Sequence, residues 1–462
     1  MNMINVRRLT VMTFLGASML SGISAQVSPL QVDTLKETKI PDQWDLQSCI
    51  DYAKEQNITI RKNRITAAST QIDVKTAKAA MFPSLSFSTG HQVVNRPYQE
   101  TSSRVSGSEI ISSNSKTSYN GNYGLNASWT LYNGNKRLKT IQQEKLNNQM
   151  AELDVATSEN NIQESIAQVY IQILYAAESV KVNENTLQVS IAQRDRGQEL
   201  LNAGSIAKSD LAQLEAQVST DRYQLVTAQA TLEDYKLQLK QLLELDGENE
   251  MNIYLPALSD ENVLAPLPTK RDVYISALSL RPEIEASKLN VEASELGINI
   301  AKSSYFPTIS LSAGIGTNHT SGSDFTFGEQ VKNGWNNSIG LSVSVPIFNN
   351  RQTKSAVQKA KLQYETSMLS LLDEQKALYK TIESLWLDAN SAQQRYAAAN
   401  EKLKSTQISY ELISEQFNLG MKNTVELLTE KNNLLQAQQE QLQAKYMAIL
   451  NTQLLKFYQG DQ

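Results

Sequence analysis

Very little of this chain consists of the residues that build reactive centres. It holds one cysteine, Cys49, and two histidines, His91 and His319, in 462 residues. A lone cysteine excludes an internal disulfide. The histidines lie in or beside strand-like stretches without companions at metal-ligand spacing, so no metal centre is expected. There is no P-loop, dinucleotide fingerprint or nucleophile elbow. The segment Asp246-Gly247-Glu248-Asn249-Glu250 lacks the alternation and the distant glutamate of a calcium loop. Neither catalysis nor a bound cofactor is expected.

Glycine (19) and proline (10) are also scarce, which argues for long regular elements rather than disorder. No basic block is present and the net charge is −5, so nucleic acid is not an expected partner. No apolar run reaches the roughly 18 residues that a transmembrane helix needs. The run from Leu9 to Leu20 follows Arg7 and Arg8 and precedes Ile23-Ser24-Ala25, which reads as a secretory signal over residues 1–25. No cysteine directly follows it, so an N-terminal lipid anchor is not indicated.

What the chain does have is alternation. From Trp335 to Ile347, Trp335, Ile339, Leu341, Val343, Val345 and Ile347 share one parity, while Asn336, Ser338, Gly340, Ser342 and Ser344 share the other. A period of two means a strand with one apolar face and one small, neutral polar face. That suits a membrane β-strand better than a globular core. The stretch 119–131 repeats the pattern, with Tyr123, Leu125, Ala127, Trp129 and Leu131 opposite Asn120, Asn122, Asn126, Ser128 and Thr130.

The strands sit among long helical patterns that occur twice. The first repeat, 26–245, carries a helix, a β-hairpin at 84–131 and long helices at 135–203 and 206–245. A small irregular segment at 246–270 follows. The second repeat, 271–458, carries a helix, a hairpin at 308–347 and long helices at 351–417 and 422–458. Pro307 repeats Pro83, and the turn at Gly420 repeats that at Gly204. Residues 135–203 make a rod of roughly 100 Å. Leu211, Leu214, Val218, Leu225, Ala228 and Leu232 sit at heptad positions broken only by Asp221, and Leu428, Leu435, Leu442 and Ile449 recur every seventh residue. These are coiled-coil seams.

Four membrane-type strands cannot close a barrel, because the smallest such barrels need about eight. Open edges in lipid leave backbone groups unsatisfied, so the chain must oligomerise. A dimer gives eight strands and a filled lumen; a trimer gives twelve and a wider, wet one. The small polar face favours the wet lumen.

The duplicated helix–hairpin–long-helix order, with Phe82-Pro83 and Phe306-Pro307 opening each first strand and a glycine turn at each helical tip, resembles the TolC-type outer-membrane efflux proteins over residues 45–458. The resemblance implies an α+β membrane protein, a homotrimer whose 12-stranded β-barrel in outer-membrane lipid is continued by an α-helical coiled-coil barrel across the periplasm. It implies an export duct for efflux or type I secretion, working with a periplasmic adaptor (membrane fusion) protein and an inner-membrane pump of RND or ABC type. It also implies a periplasmic gate. Glu426, six positions after Gly420, falls on an acidic ring position; Thr429 falls on the second one, with Glu430 beside it. Lys422 falls on a basic latch position, Asp210 on that of its acidic partner, and Phe417 on a latch position that is tyrosine in some members. Gly204 and Gly420 become adaptor-docking tips. Trp129, Tyr132, Trp335 and Phe348 are candidates for aromatics at the membrane interface. The alternative reading, a surface structural or adhesive coiled-coil protein, leaves the lipid-type strands without a purpose.

Overall fold

The computed structural model describes residues 41–98, 102–106, 109–113, 116–246, 251–256, 263–321, 323 and 325–460. The expected signal, most of the lead-in and Gly247–Glu250 lie outside these residues. In chain order the elements are α1 (Leu46–Gln56), α2 (Ile58–Ala79), β1 (Ser84–Asn95), β2 (Ser102–Ser106), β3 (Glu109–Ser113), β4 (Thr117–Asn133), α3 (Lys136–Asn202) and α4 (Lys208–Leu242). The second half adds α5 (Lys270–Leu280), α6 (Pro282–Lys302), β5 (Thr308–Thr320), α7 (Phe327–Asn333), β6 (Asn336–Ser344), α8 (Gln352–Asn418) and α9 (Thr424–Gln459). No helix among the described residues is long and apolar enough to cross a membrane.

Proline ends α2 and the turn after α6, because Pro83 and Pro307 can neither donate a backbone hydrogen bond nor let the preceding residue stay helical. The chain then becomes a four-stranded antiparallel sheet in the order β1-β4-β5-β6. Its centre pairs the second strand of the first repeat with the first strand of the second: Leu125 faces Ile315, Ala127 faces Ala313 and Trp129 faces Leu311. Leu85 and Phe87 extend that row on β1, and Ile339, Leu341 and Val343 extend it on β6. The opposite face is a continuous field of small polar groups, with Ser86, Asn126, Gly314 and Ser338 in neighbouring register. The apolar row is uncovered in the single chain; Ile339 is 83% exposed. A bulge between Thr130 and Tyr132 shifts the register at the helical end of β4.

Each repeat contributes one helix of 67 residues, α3 and α8, about 100 Å long. Helix α2 flanks the strand end of α3, and α4 returns along the rest of it. Helices α6 and α9 flank α8 in the same way. The long helices lie side by side rather than around one thick centre. The thickest core forms at mid-height, where Trp44, Cys49, Ile50, Ile166, Tyr170, Ile173, Leu239, Leu243, Tyr446 and Leu454 bury one another. The segment 246–270 is tied to this level: Trp44 bridges to Ile253, the Tyr170 hydroxyl donates to the Tyr254 carbonyl, and Gln393 Nε2 donates to the carbonyls of Val263 and Ala265.

The structure corrects the sequence reading of one helix ahead of each hairpin. Each such helix is broken, at Asn57 and at Arg281, and each break lies 26 residues before its proline. At the first, the Asn57 side chain accepts from Thr59 N and Ile60 N, starting α2, and donates to the Leu242 carbonyl. At the second, Pro282 forces Arg281 into extended backbone. The Arg281 guanidinium then lies over the Tyr458 ring at 3.7 Å. The connection between β1 and β4 contains the small hairpin β2–β3.

Cys49 is fully buried, and burial pushes its thiol up to about 12. The expected outcome of iodoacetamide treatment near pH 8 is no labelling of the native protein and complete labelling once it is unfolded in guanidinium. Labelling of the native protein would mean that the mid-height core opens readily.

Candidate functional site

The two helical turns farthest from the sheet are built alike. At the end of α3, Gly204 N donates to the Leu201 carbonyl and Ser205 N to that of Leu200; at the end of α8, Gly420 N donates to Phe417 and Met421 N to Gln416. This is the Schellman arrangement, and it needs a left-handed residue. Gly204 and Gly420 supply it with φ of 73° and 74°. Nothing lies within 4 Å of the space a side chain would occupy at either glycine, so both tips are open surface. Phe417, one turn back from Gly420, is buried and anchors its tip.

The returning helices start differently. At α9, Asn423 Oδ1 accepts from Glu426 N at 2.9 Å, and Glu426 Oε2 accepts from Asn423 N at 3.2 Å, a complete capping box. The other Glu426 oxygen accepts from Lys422 Nζ at 2.6 Å. The Lys422 ammonium and the Asn423 N–H hold the Glu426 carboxyl below the usual glutamate range. At α4, Ala207 has no side chain to offer, and the Asp210 carboxylate accepts from Ala207 N at 3.0 Å. Within the single chain, Lys422 therefore meets Glu426, while Asp210 caps its own helix. Thr429 donates to the Val425 carbonyl, and Glu430 accepts from Ser409 of α8 at 3.1 Å.

A cluster that sequence spacing did not assemble lies above the tips. Ser190 of α3, Asp221 of α4 and Lys431 of α9 are each at most 3% exposed. The Lys431 ammonium donates to Asp221 Oδ2 and to Ser190 Oγ, and Ser190 Oγ donates to Asp221 Oδ2. Asp221 Oδ1 accepts from Gln217 Nε2 at 2.9 Å. Burial pulls the Lys431 ammonium below the ordinary lysine value, and Asp221 pulls it back. The one available signal was the interruption of the α4 seam at Asp221.

The four aromatics that the sequence marks as interface candidates separate into two levels. Trp129, which donates to the Met81 carbonyl at 2.8 Å, and Tyr132, opposite Ile309, lie at the helical end of the sheet. Phe348 follows β6 at the same end and is 82% exposed. Trp335 precedes β6 at the far end. There the chain's two histidines also meet, because His91 and His319 both stand opposite Gly121 from either side. A side chain at Gly121 would collide with His319, so glycine leaves the rings room. Tyr119 stacks on His91 and Tyr123 on His319, while Phe327 meets His319 edge-on at 5.0 Å. More than 200 residues separate the two histidines, so local spacing could not reveal this belt. No group of three or more His, Cys, Asp or Glu able to hold a metal ion occurs among the described residues.

Comparison with known proteins agrees with this architecture. Outer membrane efflux protein BepC of Brucella suis biovar 1 (strain 1330) is 24% identical over 294 residues, 63% of this chain and 61% of its own. Outer membrane protein TolC of Escherichia coli (strain K12) is 24% identical over 294 residues, 62% of this chain and 58% of its own. The chain thus matches about three fifths of the length of these two relatives. A solved structure of CusC, described as undergoing transmembrane channel formation, superposes with a TM-score of 0.76 at 19% identity, covering 90% of this chain and 91% of that one. The sequence profile of the outer membrane efflux proteins matches residues 49–244 and 273–460, and the chain belongs to that family.

Proposed function

We propose that this chain is the outer-membrane export duct of a tripartite efflux or type I secretion system, active as a homotrimer and without catalytic function. The observation that carries the reading is the sheet. It is apolar on one face and small-polar on the other, with β1 and β6 as unpaired edges. In lipid, each unpaired edge group costs several kcal/mol, and only a closed barrel removes edges. Three copies, each pairing β6 with the β1 of the next, close twelve strands around a wet lumen. The apolar row then faces lipid.

The aromatic levels support the same placement. Tyr132 stands opposite Ile309 and the histidine belt lies at His319, ten residues farther along β5. That is about 33 Å along the strand, or roughly 25 Å of height at the tilt of a closed barrel, which is the thickness of an outer-membrane apolar band. Trp129, Tyr132 and Phe348 thus mark the periplasmic interface, and Trp335 marks the outer one. The processed chain consists of the repeats 26–245 and 271–458 joined by 246–270, after removal of a signal at 1–25.

The helical rods extend the lumen through the periplasm to the tips, where Gly204 and Gly420 dock the periplasmic adaptor and, through it, an inner-membrane pump. Three copies of Glu426 around one axis focus a negative field that favours cations. Lys422 holds that carboxylate in the closed tip and exchanges toward Asp210 of the neighbouring hairpin as the tip rearranges, with Phe417 packing beneath.

Purified protein recorded in planar bilayers is expected to conduct as a trimer by native mass. A monomer without conductance would overturn the duct and favour a surface structural role. Within a conducting trimer, Glu426→Ala should lower cation preference and Lys422→Ala should raise open probability; wild-type behaviour of both variants would place the gate elsewhere. The depressed Glu426 carboxyl stays ionised through the ordinary glutamate range, about pH 4.3. Its contributions to the cap and to selectivity are therefore complete at neutral pH. They should fade only below that range, as a titration of the permeability ratio would read.

A further inference from the structure

We infer that the Ser190–Asp221–Lys431 cluster is a positioning key for the gate: it fixes the rotation and height of α9 and so decides where Glu426 points. This deepens the export-duct reading and rests on it. Asp221 and Lys431 occupy seam positions where an apolar side chain would be expected, and Ser190 lies on a buried stripe of small and polar residues on α3 that meets them. Asp221 stands three residues after Val218 and four before Leu225; Lys431 stands three after Leu428 and four before Leu435. Ser190 lies seven residues after buried Asn183 and seven before buried Gly197. Leucine seams tolerate sliding and rotation because their contacts have no direction. A buried polar residue at such a position specifies register, and charge-assisted hydrogen bonds hold length and angle.

The geometry makes one helix answerable to the other two. The Lys431 ammonium reaches from α9 to acceptors on α3 and α4 together, and the neighbouring Asn432 accepts from Gln217 of α4 at 3.3 Å. Leu427, on the same stripe of α9, is fully buried, but its packing is non-directional. From Lys431 back to Glu426 is five residues, which is about 7.5 Å along the helix and about 140° around it. With Lys431 held between α3 and α4, Glu426 is turned to nearly the opposite side of α9. Slipping α9 by one residue would swing Glu426 by about 100° and undo its aim. Lys431 itself is buried and does not face the permeation path; it acts through the helix.

The test is the cation-over-anion permeability ratio of wild type, E426Q, K431M and the double variant E426Q/K431M in planar bilayers, each checked as a folded trimer. Positioning predicts that K431M and E426Q each lower the ratio, roughly threefold or more, and that the double variant falls no further than the stronger single one. A wild-type ratio in K431M, or additive losses in the double variant, overturns the inference. If K431M does not assemble, D221L/K431M carries the test, because it leaves no unpaired buried charge and its apolar packing should preserve the trimer. A lowered ratio there supports the key, and a wild-type ratio overturns it. A wild-type protein that forms no channel would instead overturn the export-duct reading.

Discussion

A strand in lipid has no water to bond to, so the N–H and C=O groups along the outer edges of β1 and β6 must meet another strand. That requirement orders the rest of the molecule. Four strands are too few to close a barrel alone, which is why a homotrimer is proposed, and in such a trimer association around an axis would fix which face of the sheet is wet. Most of the serines, asparagines and glycines of β1, β4, β5 and β6 share that face, and the leucines, isoleucines and aromatics share the other. Pro83 and Pro307 mark the change from helix to strand ahead of β1 and β5, and the rods that follow β4 and β6 inherit the spacing that the sheet sets.

Rods of 67 residues cannot be held by one globular core. The chain answers with a thick apolar belt at mid-height, where Trp44, Cys49 and Tyr170 lie, and narrow seams elsewhere. Narrow seams have little to stop one helix from sliding past another. Specific polar contacts then matter out of proportion to their number. Gln193 of α3 donates to the Tyr410 hydroxyl of α8 at 2.7 Å, Ser409 holds Glu430, and the Ser190–Asp221–Lys431 cluster joins three helices at once.

The fold was legible because its signals are local. Alternation along 119–131 and 335–347, heptads along both returning helices, and paired prolines and glycines can all be read within a dozen residues. The duplication of that order then identified the architecture. The breaks at Asn57 and Arg281 were missed because apolar spacing continues across them; what breaks the helices is a cap bonded to Leu242 in one case and Pro282 in the other. At the tips, the glycine turns were legible but the partners within the chain were not. Lys422 reads as a latch for Asp210, yet within the chain the nearer carboxylate is Glu426, one helical turn away. Asp221 was visible as a flaw in a heptad, but Lys431 lies 210 residues farther on, and no periodicity connects the two.

The two charged sites near the tip differ in a way that assigns them different work. The Lys422–Glu426 pair is half-exposed and screened, so the adaptor proposed to dock here would separate it at little cost. The Lys431–Asp221 pair is buried, and removing one partner of such a pair typically costs about 3–5 kcal/mol. If the tip is the proposed gate, an opening motion that keeps the buried pair intact would occur between Lys431 and Gly420, in the last turns of the hairpin. The rods above can stay rigid while the tip yields. On the proposed reading, a gate placed beyond a firm key would open by a small local rearrangement, and the sheet about 100 Å away need not move at all.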